Sequence, residues 1–275
     1  MTHIRLHYIL IILLIVFVTS CKKHNVISIK EYGYCDSIAY NDPHGEYAIG
    51  ILSEVNFSLI GTESDAPEDQ RTVKNINNFI INIITSQYKD ENPDSIAKHI
   101  AETNLTNLLS NVSERELSRI NDTTYIHPIY DFNELSDTLF NKIHTECHIG
   151  RCDTVLCVSG RMMLYSGGAH PGEESFAYSF SLNDGNMLRI NKLFKNGYQD
   201  ELTHRIKLKL MEMQNVETEK ELNARGFEEI GISPYFLLEK DGIIFRYESY
   251  TIAPFYVGDI DIKFSYEEIQ DLMND

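Results

Sequence analysis

The sequence lacks several residue types, and each shortage narrows what the chain can do. It contains no tryptophan, seven prolines and five cysteines among 275 residues, and 24 basic residues stand against 41 acidic ones. The resulting formal net charge of −17 makes nucleic acid and anionic lipid head groups poor partners. A basic partner is compatible with this charge, although solubility alone is the commoner reason for an acidic surface.

Sequence motifs of the common catalytic chemistries are also missing. There is no Gly-x-Ser-x-Gly nucleophile elbow, no Gly-x-x-x-x-Gly-Lys phosphate loop and no His-Glu-x-x-His zinc motif. His144 and His148 are four residues apart, which on a predicted helix places both imidazoles on one face, as zinc ligation needs. Further potential ligands are Glu146, Cys147 and Cys152. The segment echoes the His-(Ser/Thr)-x-x-His element of polysaccharide deacetylases, but their upstream Asp-Asp pair is absent. We therefore predict surface histidines on an amphipathic helix, no metal site, no cofactor and no catalytic residue.

The chain opens with a segment typical of an exported lipoprotein. Residues 9–18 form an apolar run that is shorter than the roughly 20 residues of a membrane-spanning helix. Val18-Thr19-Ser20-Cys21 then fits the pattern that precedes an acylated cysteine. We predict a signal peptide over residues 1–20, a lipid on Cys21 that anchors the protein to the membrane, and a tether over residues 21–25. An ordinary secretory signal that happens to end near Cys21 is the alternative.

This prediction places the protein in the cell envelope. Only Arg5 is charged within residues 1–20, so the mature chain would carry 23 basic and 41 acidic residues, a charge of −18. The residues after Cys21 lack the acidic run associated with surface export in Bacteroides-type bacteria. We therefore expect the periplasmic face of the outer membrane.

Four further cysteines suit an exported protein. Cys35, Cys147, Cys152 and Cys157 permit up to two disulfides, with three possible pairings. Three of them lie within eleven residues of one another and Cys35 is distant. One bridge is favoured over two, and free thiols remain an alternative.

The first half of the chain predicts two strands followed by helices. The strands are Val26–Tyr34 and Tyr47–Ile60. A helix capped by Asp65 follows, and a second starts at Asn92-Pro93. A third is predicted from Asp131, where Glu134 completes a capping box. Its inward-facing row is Leu135, Leu139, Ile143 and Cys147.

The second half has the pattern of strands and hairpins. Asp241-Gly242 marks a turn between Tyr235–Glu239 and Ile243–Tyr247, and one helix interrupts this half near Asp200–Gln214. Helices and strands do not alternate regularly, so the predicted class is α+β. We expect an N-terminal domain of strands and helices over residues 26–150. A mixed antiparallel-sheet domain with one or two helices follows over residues 151–275.

A glycine-rich loop, Tyr165–Pro171, separates two strand-like runs in this second half. Val155–Leu164 precedes it, and after it apolar and small polar residues alternate from Phe176 to Leu182. Two glycines, a histidine and a proline in so short a loop predict tight backbone geometry and an exposed polar contact. His170 is either a general base or, more commonly for such a position, a partner for the loop backbone.

Aromatic residues are plentiful despite the missing tryptophan. The chain has 16 tyrosines and 13 phenylalanines, with a dense group over residues 247–258. Tyrosine suits binding surfaces because it offers area and a hydroxyl at low entropic cost. The Pro254-Phe255-Tyr256 corner is predicted to be exposed.

The loop and the aromatic segment together carry a family resemblance. Tyr165–Pro171, Leu193-Phe194, Asp241–Phe245 and Tyr250–Gly258 resemble the C-terminal domain shared by the RsiV anti-sigma factor ectodomain and peptidoglycan deacetylase C. The resemblance implies an extracytoplasmic α+β module. Anti-sigma members use it to bind lysozyme, and in the deacetylases it accompanies a separate catalytic domain. This chain lacks both that catalytic domain and a sigma-binding domain, so neither activity carries over.

The resemblance and the composition together suggest a lipid-anchored binding module without catalysis. Its expected partner is a basic lysozyme-like protein or a component of peptidoglycan. The alternative is an envelope hydrolase acting on peptidoglycan or glycans through His170 and carboxylates such as Glu173 and Glu174. The predicted contact residues are Tyr165, Ser166, Gly167, Gly168, Ala169, His170, Pro254, Phe255 and Tyr256.

Overall fold

A computed structural model describes residues 27–41, 48–85, 92–111, 137–167 and 169–274. Its strands are β1 (Ile27–Asn41), β2 (Ala48–Thr62), β3 (Asp137–Ile149), β4 (Val155–Tyr165), β5 (Gly172–Ser181), β6 (Tyr235–Leu238), β7 (Gly242–Tyr247) and β8 (Ile260–Ser265). Its helices are α1 (Pro67–Ile84), α2 (Pro93–Asn111), α3 (Ile190–Leu193), α4 (Gln199–Gln214), α5 (Glu219–Ala224) and α6 (Tyr266–Ile269). The predicted α+β class is confirmed.

Two sheets organise the molecule. The larger has five strands in the order β1-β2-β3-β4-β5, antiparallel except where β2 and β3 run parallel. A parallel pair needs a crossover connection, and α1 and α2 lie between these two strands in the chain. The smaller sheet is an antiparallel meander in the order β6-β7-β8.

The five-stranded sheet is covered on both faces. One face packs against α1 and α2, whose buried isoleucines recur every four residues, as at Ile76, Ile80 and Ile84. The other face contributes Cys157 and Ala177 to a second core, which it shares with α4 and the three-stranded sheet. A side chain of β4 therefore faces either the helices or the second sheet, depending on its place in the strand.

Most of the predicted elements are confirmed. The strands on either side of the glycine-rich loop, the β6–β7 hairpin and the α4 helix all form as predicted. Asn92 caps α2 through its side-chain oxygen, which accepts a hydrogen bond from the Asp94 amide at 3.1 Å. The prediction that Asp65 caps the first helix is wrong, because α1 has Ala66 at its N-cap position and no side-chain cap.

The third predicted helix is wrong, since Asp137–Ile149 forms strand β3. The reason is that a spacing of four residues places side chains on one face of a helix but also on one face of a strand. From residue 142 to 146 the burial alternates: Ile143 and Thr145 are buried, whereas Lys142, His144 and Glu146 are exposed. This is the two-residue period of a half-buried strand. The proposed caps of that helix lie outside the described residues.

The boundary predicted near residue 150 falls between β3 and β4, which pair in the same sheet from Phe140–Tyr165 to Ile149–Leu156. The division into two domains stays a prediction.

The predicted signal peptide, Cys21 and the tether lie outside the described residues. Within the described ranges, no helix is long and apolar enough to cross a membrane. The four described cysteines are all free thiols.

Candidate functional site

The glycine-rich loop forms the tip of the β4–β5 hairpin. Tyr165 is the last residue of β4, and Gly167 adopts a φ of +99°, a conformation that favours glycine. Ser166, Gly167, Ala169 and His170 are exposed, and Gly168 lies outside the described residues. The four described residues at the centre of the loop are therefore exposed, whereas Tyr165 and Pro171 at its two ends are half-buried.

His170 is held by hydrogen bonds at both ring nitrogens. Nδ1 lies 2.9 Å from the Pro171 carbonyl oxygen, and Nε2 lies 3.1 Å from the Tyr250 hydroxyl. A carbonyl only accepts, so Nδ1 carries the proton, and Nε2 of the neutral ring accepts from the tyrosine. This arrangement matches the structural role that we weighed for a histidine in such a loop.

The His170 ring also joins the loop to the aromatic segment. It stacks on Phe255 with a centroid separation of 4.1 Å and an interplanar angle of 22°. Tyr250 lies 5.4 Å from Phe255 and 6.1 Å from His170, measured between ring centroids. The structure thus brings together the two segments that were singled out separately in the sequence. We call His170, Tyr250, Phe255 and Tyr256 the aromatic corner.

Local backbone features hold the corner in place. Phe255–Val257 forms a single 3₁₀ turn that ends at Gly258, whose φ is +75°. Pro254 packs against Gly226, where φ is +88° and an added Cβ would lie 2.8 Å from Pro254 Cγ. A glycine is needed at position 226 for both reasons.

Two tyrosines of the corner face solvent. Tyr256 is 80% exposed and Tyr250 is 62% exposed, the highest values among the large hydrophobic residues of the described chain. Tyr250 also has a φ of +71°, which is unfavourable for a bulky side chain. Sequence reasoning missed Tyr250 as a site residue, although it lies in the aromatic-dense stretch that was identified.

Tyr165 differs from the other predicted site residues in its surroundings. Its ring lies 5.7 Å from that of Phe140 on β3, which is its register partner across the β3–β4 pair. The structure therefore places Tyr165 beside a cross-strand partner of the sheet.

The carboxylates considered for catalysis are in different environments. Glu173 is nearly buried, with 5% of its side chain exposed, and forms an ion pair with Arg161. Glu174 is exposed and faces Glu248 closely enough to affect its titration. Burial, and then the charges of Glu174 and Asp259, raise the pKa of Glu248. Its Oε1 is buried and has no hydrogen-bond partner.

A cleft of about 270 Å³ is lined by residues of β3 and β4 on one side and by Arg246, Asp259 and Asp261 on the other. Two of its acidic groups have hydrogen-bond partners within the lining. Arg246 binds both carboxylate oxygens of Asp261, at 2.8 and 2.7 Å, and Ser159 donates to Glu146 at 3.1 Å. His144 lines the same cleft.

The two histidines considered for zinc lie on a strand instead of a helix, and they have different neighbours. His148 Nε2 lies 2.7 Å from Glu239 Oε1, on the side of the sheet that faces β6. Cys147 faces the opposite side and donates to the Ser58 carbonyl at 3.6 Å. The amphipathic helix predicted to carry His144 and His148 is therefore wrong, and both histidines lie on strand β3.

Comparisons with known proteins identify the fold without a function. Residues 191–267 match the family described as "Protein of unknown function (DUF3298)". The chain is similar to the crystal structure of a DUF3298 family member from Bacteroides fragilis, with 20% identity, a TM-score of 0.71, and coverage of 92% of this chain and 96% of that one. A DUF3298 family protein from Pseudomonas aeruginosa is similar with 10% identity, a TM-score of 0.54, and coverage of 90% and 95%. No protein with a curated description matches. The chain thus shares its fold with these DUF3298 proteins, and its residues 191–267 match the model of that family.

Proposed function

We propose that this protein is a lipid-anchored binding module of the cell envelope, whose partner is a basic, lysozyme-like protein. The observation that carries the proposal is the aromatic corner. Tyr250 and Tyr256 present exposed rings, His170 stacks on Phe255, and the Tyr250 ring lies beside this stack.

Such an arrangement suits recognition of a protein surface. Tyrosine is enriched among the residues that dominate binding energy, and a ring that is already positioned loses little entropy on binding. Tyr250 keeps its unfavourable φ of +71° in a segment fixed by hydrogen bonds, including Thr251 N to Glu248 O at 3.0 Å. Backbone strain of this kind is characteristic of functional sites.

The charge of the chain supports a basic partner. In addition to the net charge of −17, exposed Glu228 and Glu229 follow Gly226, against which Pro254 packs. The Glu228 amide donates to the Ile252 carbonyl at 3.0 Å, which keeps this acidic segment beside the aromatic one. Negative charge next to exposed aromatic rings would accelerate association with a cationic protein.

The resemblance to the RsiV ectodomain supports lysozyme as the partner class. It is carried by the glycine-rich loop and the aromatic segment, the two segments that meet at the corner. Anchoring through Cys21 belongs to the same proposal and predicts that fatty acid incorporation into the protein is lost in Cys21→Ser. With β1 starting six residues after Cys21, the folded part would lie within about 21 Å of the lipid.

The test is a calorimetric titration of the purified protein with a basic animal lysozyme at low salt. We expect micromolar or tighter binding, weakened at least about tenfold by Tyr256→Ala because a central tyrosine contributes more than about 1.4 kcal/mol. Met187→Ala is the matched control, since Met187 is 38% exposed and pairs with Phe180 near the other end of β5. Equal affinity of the wild type and Tyr256→Ala would refute the corner as the contact surface.

An envelope hydrolase is the second candidate, and one observation favours it. Glu248 is a carboxylate with a raised pKa, as expected of a general acid, and Asp259, whose charge contributes to the rise, lines the cleft. His170 is less suited to be its base, because both ring nitrogens already have partners. Glu173 is paired with Arg161.

The two candidates make opposite predictions for purified cell wall. A hydrolase would release soluble fragments from peptidoglycan, and Glu248→Gln would abolish the release. The binding module would release none, with or without the substitution.

A further inference from the structure

The structure contains a group of metal-ligating side chains that is separate from the aromatic corner. His148 Nε2, Cys157 Sγ and a carboxylate oxygen of Glu239 lie within 4.8 Å of one another. We propose that these three residues bind a zinc ion, with water as the fourth ligand.

The fold itself brings the three side chains together. His148 and Cys157 are direct register partners on antiparallel strands β3 and β4, so their side chains leave the same face of the sheet. Glu239 follows the last residue of β6 and comes from the second sheet. Three elements that are distant in sequence thus supply one nitrogen, one sulfur and one oxygen.

This set of donor atoms selects the metal. Zinc accepts thiolate, imidazole and carboxylate ligands together, whereas magnesium and calcium prefer oxygen alone. A tetrahedral zinc site needs its ligand atoms about 3.3–3.6 Å apart, which follows from bonds of about 2.0–2.3 Å. The His148–Glu239 pair, now at 2.7 Å, would open slightly, and the two separations that involve Cys157 Sγ are already within 4.8 Å. Both side chains are partly exposed, at 39% and 18%, which allows such rotations and gives access to solvent.

Neighbouring residues hold Cys157 and the backbone of Glu239 in position. Cys157 is fully buried at the base of the group, and an added Cβ on Gly150 would lie 2.8 Å from its sulfur. The Tyr266 hydroxyl donates to the Glu239 carbonyl oxygen at 2.6 Å and fixes the backbone of that ligand. On binding, the thiol proton of Cys157 passes to solvent as the sulfur–zinc bond forms, and the ion ties the β3–β4 pair to the second sheet.

Cobalt is the probe for this site, because a thiolate bound to Co²⁺ gives a near-ultraviolet charge-transfer band. We expect the reduced, purified protein to bind one Co²⁺ per chain with this band, and Zn²⁺ to displace it. Cys157→Ser should abolish the band. Glu239→Gln should keep it but weaken the affinity by more than about tenfold.

Two cysteine variants are the controls. Cys147 is adjacent to His148 but faces the other side of the sheet, and Cys152 is an exposed thiol in the β3–β4 connection. Cys147→Ser and Cys152→Ser should both retain the band. Absence of the band from the wild type, or its loss in Cys152→Ser, would overturn the proposal. If Cys157→Ser does not fold, His148→Gln replaces it, and unchanged cobalt affinity in that variant would also overturn the proposal.

Discussion

The stack of His170 on Phe255 makes a quantitative prediction about stability. Phe255 is half-buried, and a full Phe→Ala truncation in a core costs about 3–5 kcal/mol, so Phe255→Ala should cost about 1.5–2.5 kcal/mol. His170 is exposed but loses two hydrogen bonds, so His170→Ala should cost about 1 kcal/mol. If the rings interact as their 4.1 Å separation indicates, the double variant should cost about 0.5–1 kcal/mol less than the sum.

Urea unfolding of the four proteins in this double-mutant cycle measures the coupling. The matched control pairs His170→Ala with Met187→Ala. Met187 pairs with Phe180, and the eight residue steps from Gly172 to Phe180 span about 26 Å along β5. That pair should be additive within about 0.3 kcal/mol. Equal coupling in the two cycles would refute the claim that the stack joins the loop to the aromatic segment.

Three further substitutions test other parts of the structure. Gly226→Ala should lower the free energy of unfolding by about 2 kcal/mol and weaken lysozyme binding, because it places a Cβ against Pro254 at a φ of +88°. Unchanged urea unfolding would contradict this packing. The raised pKa of Glu248 means that its protonated form favours the folded state and that this contribution is lost as pH rises. Glu248→Gln should therefore raise the melting temperature near about pH 7 and lose that advantage near about pH 4. An equal effect at both pH values would contradict the assigned burial. Ser265→Ala should lower the free energy of unfolding in urea by about 1 kcal/mol, because Ser265 caps α6 and accepts a hydrogen bond from the Glu268 amide at 3.3 Å. No loss of stability would show that the capping box contributes nothing.

The elements that were predictable from sequence carry local signals that have only one interpretation. Asp241-Gly242 between two apolar runs predicts a hairpin, and Ser265 with Glu268 predicts a capped helix start. Leu202, Ile206 and Leu210 recur at helical spacing and are all buried in α4.

The failure at β3 has a different origin. A spacing of four residues fits helix and strand alike, and the choice is made by pairing with β2 and β4, which are distant in sequence. Such pairing energy is tertiary, and the only local sign of it among these residues is the two-residue alternation from Lys142 to Glu146. The same limitation hid the metal-ligand group, since Glu239 reaches His148 only after the second sheet packs on the first.

The aromatic corner was predicted in part. Glycine and proline marked the two segments as turns, so the exposure of His170 and Tyr256 followed from local chemistry. Tyr250 was not identified, because its position depends on a left-handed backbone conformation that the sequence does not favour for tyrosine.

Lysozyme binding can be tested with the wild-type protein alone, by measuring its affinity for a basic lysozyme at two salt concentrations. We expect micromolar or tighter binding at low salt. Binding should weaken as salt shortens the range over which the acidic surface attracts the partner, to about 10 Å at 0.1 M. No measurable binding at micromolar concentrations in low salt would contradict lysozyme as the partner.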